Sequence, residues 1–298
     1  FQAPAKDFGF FVGKDKDTEP RFIFSSIQSL SKTENLNKFS PTDFDFVIVD
    51  EVHRGIAKTY ETVLDHFKPK FLLGLTATPE RTDGKDIFRI FDYNVAYEIR
   101  LQEALEAKML CPFHYYGVTD YVTESGEVVE DTSELSKLIS TERVEHILEN
   151  LEKYGLPQDV RGLIFCSSKG EATELSELLN SSTLNGKGLH TTALLGDTEQ
   201  SVRNAAIEQL ETGELDYILT VDIFNEGIDI PSVNQIVMLR GTQSSIIFTQ
   251  QLGRGLRKYR NKDHLRVIDF IGNYKNNFLI PIALFGDNSK SKDSIRKK

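Results

Sequence analysis

The feature that most constrains the fold is a series of short, unbroken apolar runs separated by amphipathic segments. Such runs include residues 47–49, 163–165 and 236–239. Strands that are apolar at every position are typical of parallel sheets with helices packed on both faces. A strand with one solvated face would instead alternate apolar and polar residues. Parallel neighbours need long crossovers, which helices usually provide. The sequence therefore predicts α/β domains, each with a parallel sheet flanked by helices.

The strands and helices can be assigned from apolar periodicity and from the turn residues that bound each run. Leu178 and Val202 each fall on the apolar stripe of a predicted helix. The predicted strands are 21–27, 44–50, 71–76, 162–166, 191–195, 217–221, 235–239 and 265–270. The predicted helices are 101–110, 141–153, 170–179 and a segment that opens with Asp197 as its N-cap.

The length of 298 residues favours two domains. Pro112 and a polar stretch interrupt the alternation, so we expect a first domain over 1–111 and a connector over 112–139. A second domain is expected over 140–288, followed by a basic tail over 289–298. At 39% hydrophobic residues, the chain has no apolar run long enough for a bilayer, so no membrane segment is expected.

Charge and cysteine content narrow the class of protein. The net charge of −10 argues against a broad basic face that binds nucleic acid non-specifically, although a few local cations and backbone amides would suffice for a narrower contact. Cys111 and Cys166 have no metal-ligand spacing and are expected to be small core residues. We therefore expect a protein of a reducing compartment, the cytoplasm.

Residues 47–49 lead directly into Asp50 and Glu51. A strand buried on both faces should end in two carboxylates only where a cationic group meets them. Asp50 suits Mg²⁺, and Glu51 suits the deprotonation of a water that attacks a γ-phosphate. An ordinary solvated strand end followed by a turn is the alternative that these residues leave open.

Polar residues also follow other predicted strands. Thr76 and Thr78 carry hydroxyls able to bond to His53 or to the acid pair. The stretch "VDIFNEGIDIP" (221–231) contains Gly227, which suits a close backbone approach, and the acid Asp229. An ordinary loop is the alternative for that stretch.

The stretch "QQLGRGLRKYR" (250–260) spaces Gln250, Arg254 and Arg257 four and three residues apart. These positions share one face of a helix. Two guanidinium groups on one face form a fork for phosphate oxygens. A solvated basic helix is the alternative.

Five stretches, in this order, resemble motifs II to VI of the superfamily 2 helicases and translocases: "DEVH" (50–53), "TAT" (76–78), "LIFCSS" (163–168), "VDIFNEGIDIP" (221–231) and "QQLGRGLR" (250–257). The stretch "FSSIQSL" (24–30) resembles motif Ib. The resemblance is to the DExH proteins of the restriction-subunit-like DNA helicase group. It implies two RecA-like domains, the first incomplete, that use ATP and Mg²⁺ and bind nucleic acid, with DNA expected rather than RNA. It also allows a nuclease or another domain in the full-length chain.

The resemblance implies roles for individual residues. Asp50 would hold Mg²⁺, Glu51 would be the catalytic base, and Arg254 and Arg257 would be arginine fingers on the γ-phosphate. The remaining assignments are coupling by His53, Thr76, Thr78 and Gln250, nucleotide binding by Gly227 and Asp229, and nucleic-acid binding by Ser26, Ser167 and Thr220.

No G-x-x-x-x-G-K-[ST] phosphate-binding loop occurs in the sequence. In the family this loop precedes motif II, so we expect the chain to be the truncated piece of a longer ATPase. A hydrolysis-deficient module that binds nucleic acid or protein is the alternative. Either interpretation predicts negligible ATPase activity for this chain alone, because the loop positions the phosphates.

Overall fold

The structure, a computed structural model, describes residues 3–52, 58–76, 87–129, 133–221, 230–240 and 251–270. Its contacts divide the chain into two compact units, Phe1–Glu98 and Ile99–Lys298. The division lies before the boundary predicted after residue 111. The helix predicted at 101–110, observed as α4 (Leu101–Glu106), therefore belongs to the second unit.

The first unit contains two pairs of parallel strands. β1 (Phe8–Phe11) pairs with β2 (Phe22–Ser25), and β3 (Phe46–Val49) pairs with β4 (Phe71–Gly74). Its helices are α1 (Ile27–Leu30), α2 (Thr33–Leu36) and α3 (Lys58–His66). Its core is a small apolar cluster of Phe11, Leu36, Phe39, Val63 and Phe67.

The expectation that the strand before Asp50 is buried on both faces is wrong for the described part of this unit. Phe46 is 69% exposed and Ile48 is 61% exposed, whereas Val47 packs against the core. The physical reason is that β3 pairs only with β4 in the described sheet, and the apolar cluster lies on one face of that pair. Every second side chain of this apolar run is therefore exposed to solvent.

The second unit is built around a parallel sheet of six strands in the order β5-β12-β11-β6-β10-β9. Its strands are β5 (Phe113–Val118), β6 (Gly162–Phe165), β9 (Thr191–Leu194), β10 (Tyr217–Thr220), β11 (Gln235–Met238) and β12 (Leu265–Phe270). Strands β7 (Thr183–Leu184) and β8 (Lys187–Gly188) form a separate antiparallel hairpin. Its further helices are α5 (Leu135–Leu138), α6 (Thr141–Tyr154), α7 (Lys169–Asn180) and α8 (Gln200–Thr212).

Two apolar cores cover the two faces of this sheet. On one face α6 and α7 contribute Ile147, Leu151 and Leu175. On the other face α8 contributes Leu210, and Leu252 follows from the helical segment 251–255. The prediction of a mixed α/β fold with parallel sheets is therefore confirmed.

Several local predictions differ from the structure. β5 comes from the segment interpreted as a connector, and it forms the edge of the sheet by pairing with β12. Leu178 is 38% exposed and Val202 is 51% exposed, so neither is on a buried stripe. α8 begins at Gln200 with Glu199 as its N-cap, because Asp197 lies in a turn and contacts Lys169 instead.

Among the described helices, none combines the length and the apolar composition that a membrane crossing requires.

Candidate functional site

The acid pair follows the carboxyl end of β3. Asp50 is exposed, and Glu51 is half-buried with a φ of 50°, in the left-handed region. The backbone N–H of Glu51 donates to Oδ1 of Asp50 at 2.9 Å. A left-handed residue other than glycine stores roughly 1 kcal/mol or more of backbone strain. The described chain has six other non-glycine residues with a left-handed φ, so this conformation at Glu51 does not by itself separate a functional corner from an ordinary turn.

Thr76 lies at the same edge of this strand pair. Leu75 donates its N–H to the carbonyl of Val49 at 2.9 Å, and Val52 donates to the carbonyl of Leu75 at 3.0 Å. The residues that follow β3 and β4 are therefore joined by backbone hydrogen bonds. A Cβ at Gly74 would meet the Phe91 ring and come within 3.0 Å of Val52, so only glycine fits at this close approach. Thr76 therefore follows a residue that is hydrogen-bonded on both sides of the acid pair, and its coupling role stays a prediction.

Ser26 is the N-cap of α1 and is half-buried. Its Oγ accepts the N–H of Ser29 at 3.3 Å and donates to the Ser29 hydroxyl at 3.0 Å. The local structure thus explains Ser26 as a helix cap, and its assignment to nucleic acid stays a prediction.

Five of the predicted site residues lie outside the described residues: His53, Thr78, Gly227, Asp229 and Gln250.

The predicted helical face of arginines is only partly observed. Arg254 is half-buried within the helical segment 251–255, whereas exposed Arg257 lies beyond it. The expectation that both arginines share one helix face is therefore wrong. Gly255 packs where a Cβ would meet the side chains of Leu265 and Ile236, and Leu256 donates to the carbonyl of Gly253 in a tight closing turn.

Lys262 holds the chain after this helical segment. Its amine donates to the carbonyl of Arg257 at 2.9 Å and to that of Pro231 at 3.1 Å. Burial lowers the pKa of Lys262 to about 8. The amine thus joins Arg257 to Pro231, which lies four residues before β11.

Ser167 and Thr220 both lie at the carboxyl edge of the six-stranded sheet. The Ser167 N–H and hydroxyl both donate to Oε2 of Glu171, each at 2.7 Å. The other carboxylate oxygen, Oε1, accepts from Arg143 at 2.8 Å. Thr220 is fully buried, and its hydroxyl has no hydrogen-bond partner among the described residues.

Sequence reasoning missed the Arg143–Glu171 pair. The signal that points to Glu171 is the S-x-x-E spacing of Ser168 and Glu171, a capping-box pattern. The N–H of Glu171 does donate to the Ser168 hydroxyl oxygen at 3.1 Å. The Glu171 carboxylate, however, reaches the N–H of Ser167 rather than that of the N-cap Ser168. No spacing in the sequence predicts Arg143 as its partner.

A second buried carboxyl that the sequence did not single out is Asp269 in β12. It is 2% exposed and accepts the Tyr115 hydroxyl at 2.7 Å. Burial raises the pKa of Asp269 to about 7, although the Tyr115 hydrogen bond opposes the shift. Tyr115 pairs in register with Val267, two residues before Asp269, so the two side chains share one face of the sheet.

Two family profiles match the sequence over most of these elements. The profile described as "Type III restriction enzyme, res subunit" matches residues 2–81, which include β1 to β4 and the acid pair. The profile "Helicase conserved C-terminal domain" matches residues 142–259, which include Ser167 and both arginines. The chain is therefore similar, in both of its units, to a restriction-subunit-like helicase core.

Relatives of this chain include a Saccharomyces cerevisiae protein, IRC3, whose full name is "Putative ATP-dependent helicase IRC3". It is 29% identical over 266 residues, which cover 84% of this chain and 37% of IRC3. The Type I restriction enzyme EcoAI endonuclease subunit of Escherichia coli is 25% identical over 250 residues, which cover 73% of this chain and 30% of that subunit. The chain therefore spans well under two thirds of these relatives.

The fold is similar to that of solved helicase structures. A fragment of an HsdR subunit of a type I restriction enzyme from Vibrio vulnificus matches with a TM-score of 0.72 and 22% identity, covering 94% of this chain and 53% of that one. The likeness shows the fold, and it confirms the RecA-like α/β architecture that the motifs implied.

Proposed function

We propose that this helicase core is the motor part of an ATP-dependent helicase or translocase of superfamily 2 that acts on DNA. The observation that carries the proposal is the acid pair Asp50 and Glu51 at the carboxyl end of β3, within a chain whose two units match restriction-subunit and helicase profiles in the expected order. The EcoAI relative, named as a restriction endonuclease subunit, favours DNA over RNA as the substrate.

Mg²⁺ fits the acid corner in its donor chemistry. Asp50 offers an exposed carboxylate, and its Oδ1 accepts the backbone N–H of Glu51 at 2.9 Å. Mg²⁺ is commonly held by one or two carboxylates together with water and substrate phosphates. When bound, the ion would neutralise charge on the β- and γ-phosphates.

The chain's own residues supply the other roles. Glu51 would orient the attacking water and accept its proton, and Arg254 and Arg257 would stabilise charge on the γ-phosphate. Thr76, beside the acid corner, would couple hydrolysis to movement. The assignments that lie outside the described residues remain part of the proposal: coupling by His53, Thr78 and Gln250, and nucleotide binding by Gly227 and Asp229.

Among the proposed nucleic-acid contacts, Ser26 is half-buried and caps a helix at the same time. The complete burial of Thr220 argues against a direct contact by its hydroxyl. Ser167 is half-buried, and its N–H and hydroxyl both donate to Glu171. Further domains in the full-length protein, such as a nuclease, and a cytoplasmic location remain predictions.

Steady-state phosphate release with and without DNA tests the proposal. In the full-length protein, Glu51→Gln should lower turnover by about 100-fold or more, since general-base catalysis contributes at least that much. The same change should leave ATP binding nearly intact, which equilibrium binding of a labelled nucleotide would show. The present chain, which has no phosphate-binding loop, should show negligible turnover.

The second candidate function, a hydrolysis-deficient module that binds nucleic acid or protein, is favoured only by the absence of that loop from the sequence. It predicts nucleic-acid affinity that nucleotide does not change. DNA binding by the full-length protein, measured with and without a non-hydrolysable ATP analogue, separates the two. Turnover in the full-length protein that Glu51→Gln does not lower would contradict the motor proposal.

A further inference from the structure

The turn between β6 and α7 is held by a buried ion pair. The Arg143 and Glu171 side chains are 2% and 0% exposed, and the guanidinium Nη1 lies 2.8 Å from Oε1 of Glu171. The same nitrogen donates to the carbonyl of Leu138 at the end of α5. Buried ion pairs of this kind can often be replaced by apolar residues without loss of stability. Stability alone therefore explains this pair poorly.

The second carboxylate oxygen of Glu171 uses both hydrogen-bond donors of Ser167. A serine has one backbone N–H and one hydroxyl hydrogen. Both of these donate to Oε2 of Glu171 at 2.7 Å. Phosphate oxygens only accept hydrogen bonds, so Ser167 has nothing left to donate to a nucleic-acid backbone while Glu171 keeps this geometry.

The neighbouring Ser168 differs in both respects. It is exposed, whereas Ser167 is half-buried. Its oxygen accepts the N–H of Glu171 at 3.1 Å, a bond that uses a lone pair and leaves the hydroxyl hydrogen available. Within the described segments, that hydrogen has no acceptor.

We propose that Glu171, held by Arg143, is a positioning residue of the nucleic-acid interface. It commits Ser167 to the protein interior and leaves Ser168 as the hydroxyl that donates to a backbone phosphate. This assignment rests on the proposed function and deepens it. It moves the predicted nucleic-acid contact from Ser167 to Ser168, and it adds Glu171 and Arg143 as residues that position this turn.

The first experiment compares the two serines in the full-length protein, using a fluorescent single-stranded DNA. Ser168→Asp keeps a good N-cap but replaces the donor by a negative charge, so affinity should fall about tenfold. Ser168→Thr, the matched control, keeps a hydroxyl and should stay within about twofold of wild type. Ser167→Ala should also stay within about twofold, because its donors never reach the DNA.

The second experiment separates positioning from stability with two double variants. Arg143→Met/Glu171→Gln and Arg143→Met/Glu171→Leu both remove the buried charges, and the thermal unfolding midpoint of each variant is measured beside its DNA affinity, at a temperature where both are folded. Only glutamine keeps an oxygen that accepts from Ser167. The glutamine variant should therefore retain DNA affinity within about twofold, and the leucine variant should lose about fivefold or more.

Particular outcomes contradict the assignment. Loss of affinity in Ser167→Ala with none in Ser168→Asp would restore Ser167 as the contact. Equal affinity in the two double variants would reduce the pair to a structural ion pair. If the wild-type protein bound neither DNA nor RNA, the proposed function would fail and the assignment with it. If the wild-type protein binds nucleic acid and either of the first two results is obtained, the assignment of Ser168 and Glu171 fails while the proposed function stands.

Discussion

The buried carboxyl of Asp269 should make the stability of the second unit depend on pH. Its side chain faces the Tyr115 hydroxyl at 2.7 Å and is almost fully buried. Burial raises the pKa of Asp269 from its ordinary value of 3.8 to about 7. The folded protein therefore holds this proton more tightly than the unfolded chain does.

The sign and size follow from that difference. Stability is greatest below the unfolded pKa and is lost as the pH rises to the folded pKa, because the unfolded chain then releases the proton that the folded protein keeps; above the folded pKa the loss is complete. At about 1.4 kcal/mol per pKa unit, the full loss is on the order of 4 kcal/mol. Between about pH 5.5 and about pH 8, the contribution from this group should fall by roughly 2 kcal/mol.

The change that tests this reasoning is Asp269→Asn. The asparagine oxygen can still accept the Tyr115 hydroxyl, while the group no longer titrates. Urea unfolding at the two pH values, followed by circular dichroism because the chain has no tryptophan, measures the free energy of unfolding. In the variant, the fall of about 2 kcal/mol in the free energy of unfolding between the two pH values should disappear. This result is expected whatever the stability of the variant at the lower pH.

Glu208→Gln, which changes an exposed carboxylate on α8, is the matched control and should keep the wild-type pH dependence. Equal pH dependence in Asp269→Asn and wild type would show that ionisation of Asp269 does not cause it. Tyr115→Phe removes the hydrogen bond that opposes the shift, so it should move the midpoint of the dependence to higher pH.

The remaining predictions concern the helical segment 251–255 and the two thiols. Gly255→Ala should lower the free energy of unfolding by about 1–3 kcal/mol, because the new methyl group would meet the buried side chains of Leu265 and Ile236. Gly253→Ala, its control, should be neutral or slightly stabilising, since a Cβ there meets nothing within 4 Å; equal losses in the two would contradict the packing. Cys111 and Cys166 are buried, and burial raises the pKa of both thiols, so neither should react with a thiol reagent until the protein is unfolded. Rapid labelling of Cys166 in the native protein would count against the core packing of β6.

The secondary structure of this protein was largely determined by its sequence. The eight predicted strands all occur within about two residues of their predicted ends, because each is a short apolar run bounded by turn residues. The prediction omitted four described strands: β1, β5 and the two-residue strands β7 and β8. The longer two, β1 and β5, carry less uniform sequences. In "FHYYGV" (113–118) polar and apolar residues mix, and the strand forms because its backbone pairs with β12 at the sheet edge.

The motifs were also read from the sequence, since each depends on local residue order. Their order implied the RecA-like fold and the helicase class that the family profiles confirm. The individual roles of Glu51, Arg254 and Ser167 stay predictions. The strain at Glu51, the end of the helical segment before Arg257, and the hydrogen bonds of Ser167 appear only in three dimensions.

Tertiary structure alone decided which apolar and charged groups are buried. Phe46 and Ile48 look like core residues in sequence but lie open, because burial depends on what covers a strand and not on its composition. Arg143 and Glu171 look like ordinary surface charges but are buried together, 28 residues apart in the chain. Periodicity reports contacts made within one element, whereas a pair of this kind arises only when the sheet brings α6 and α7 onto one face.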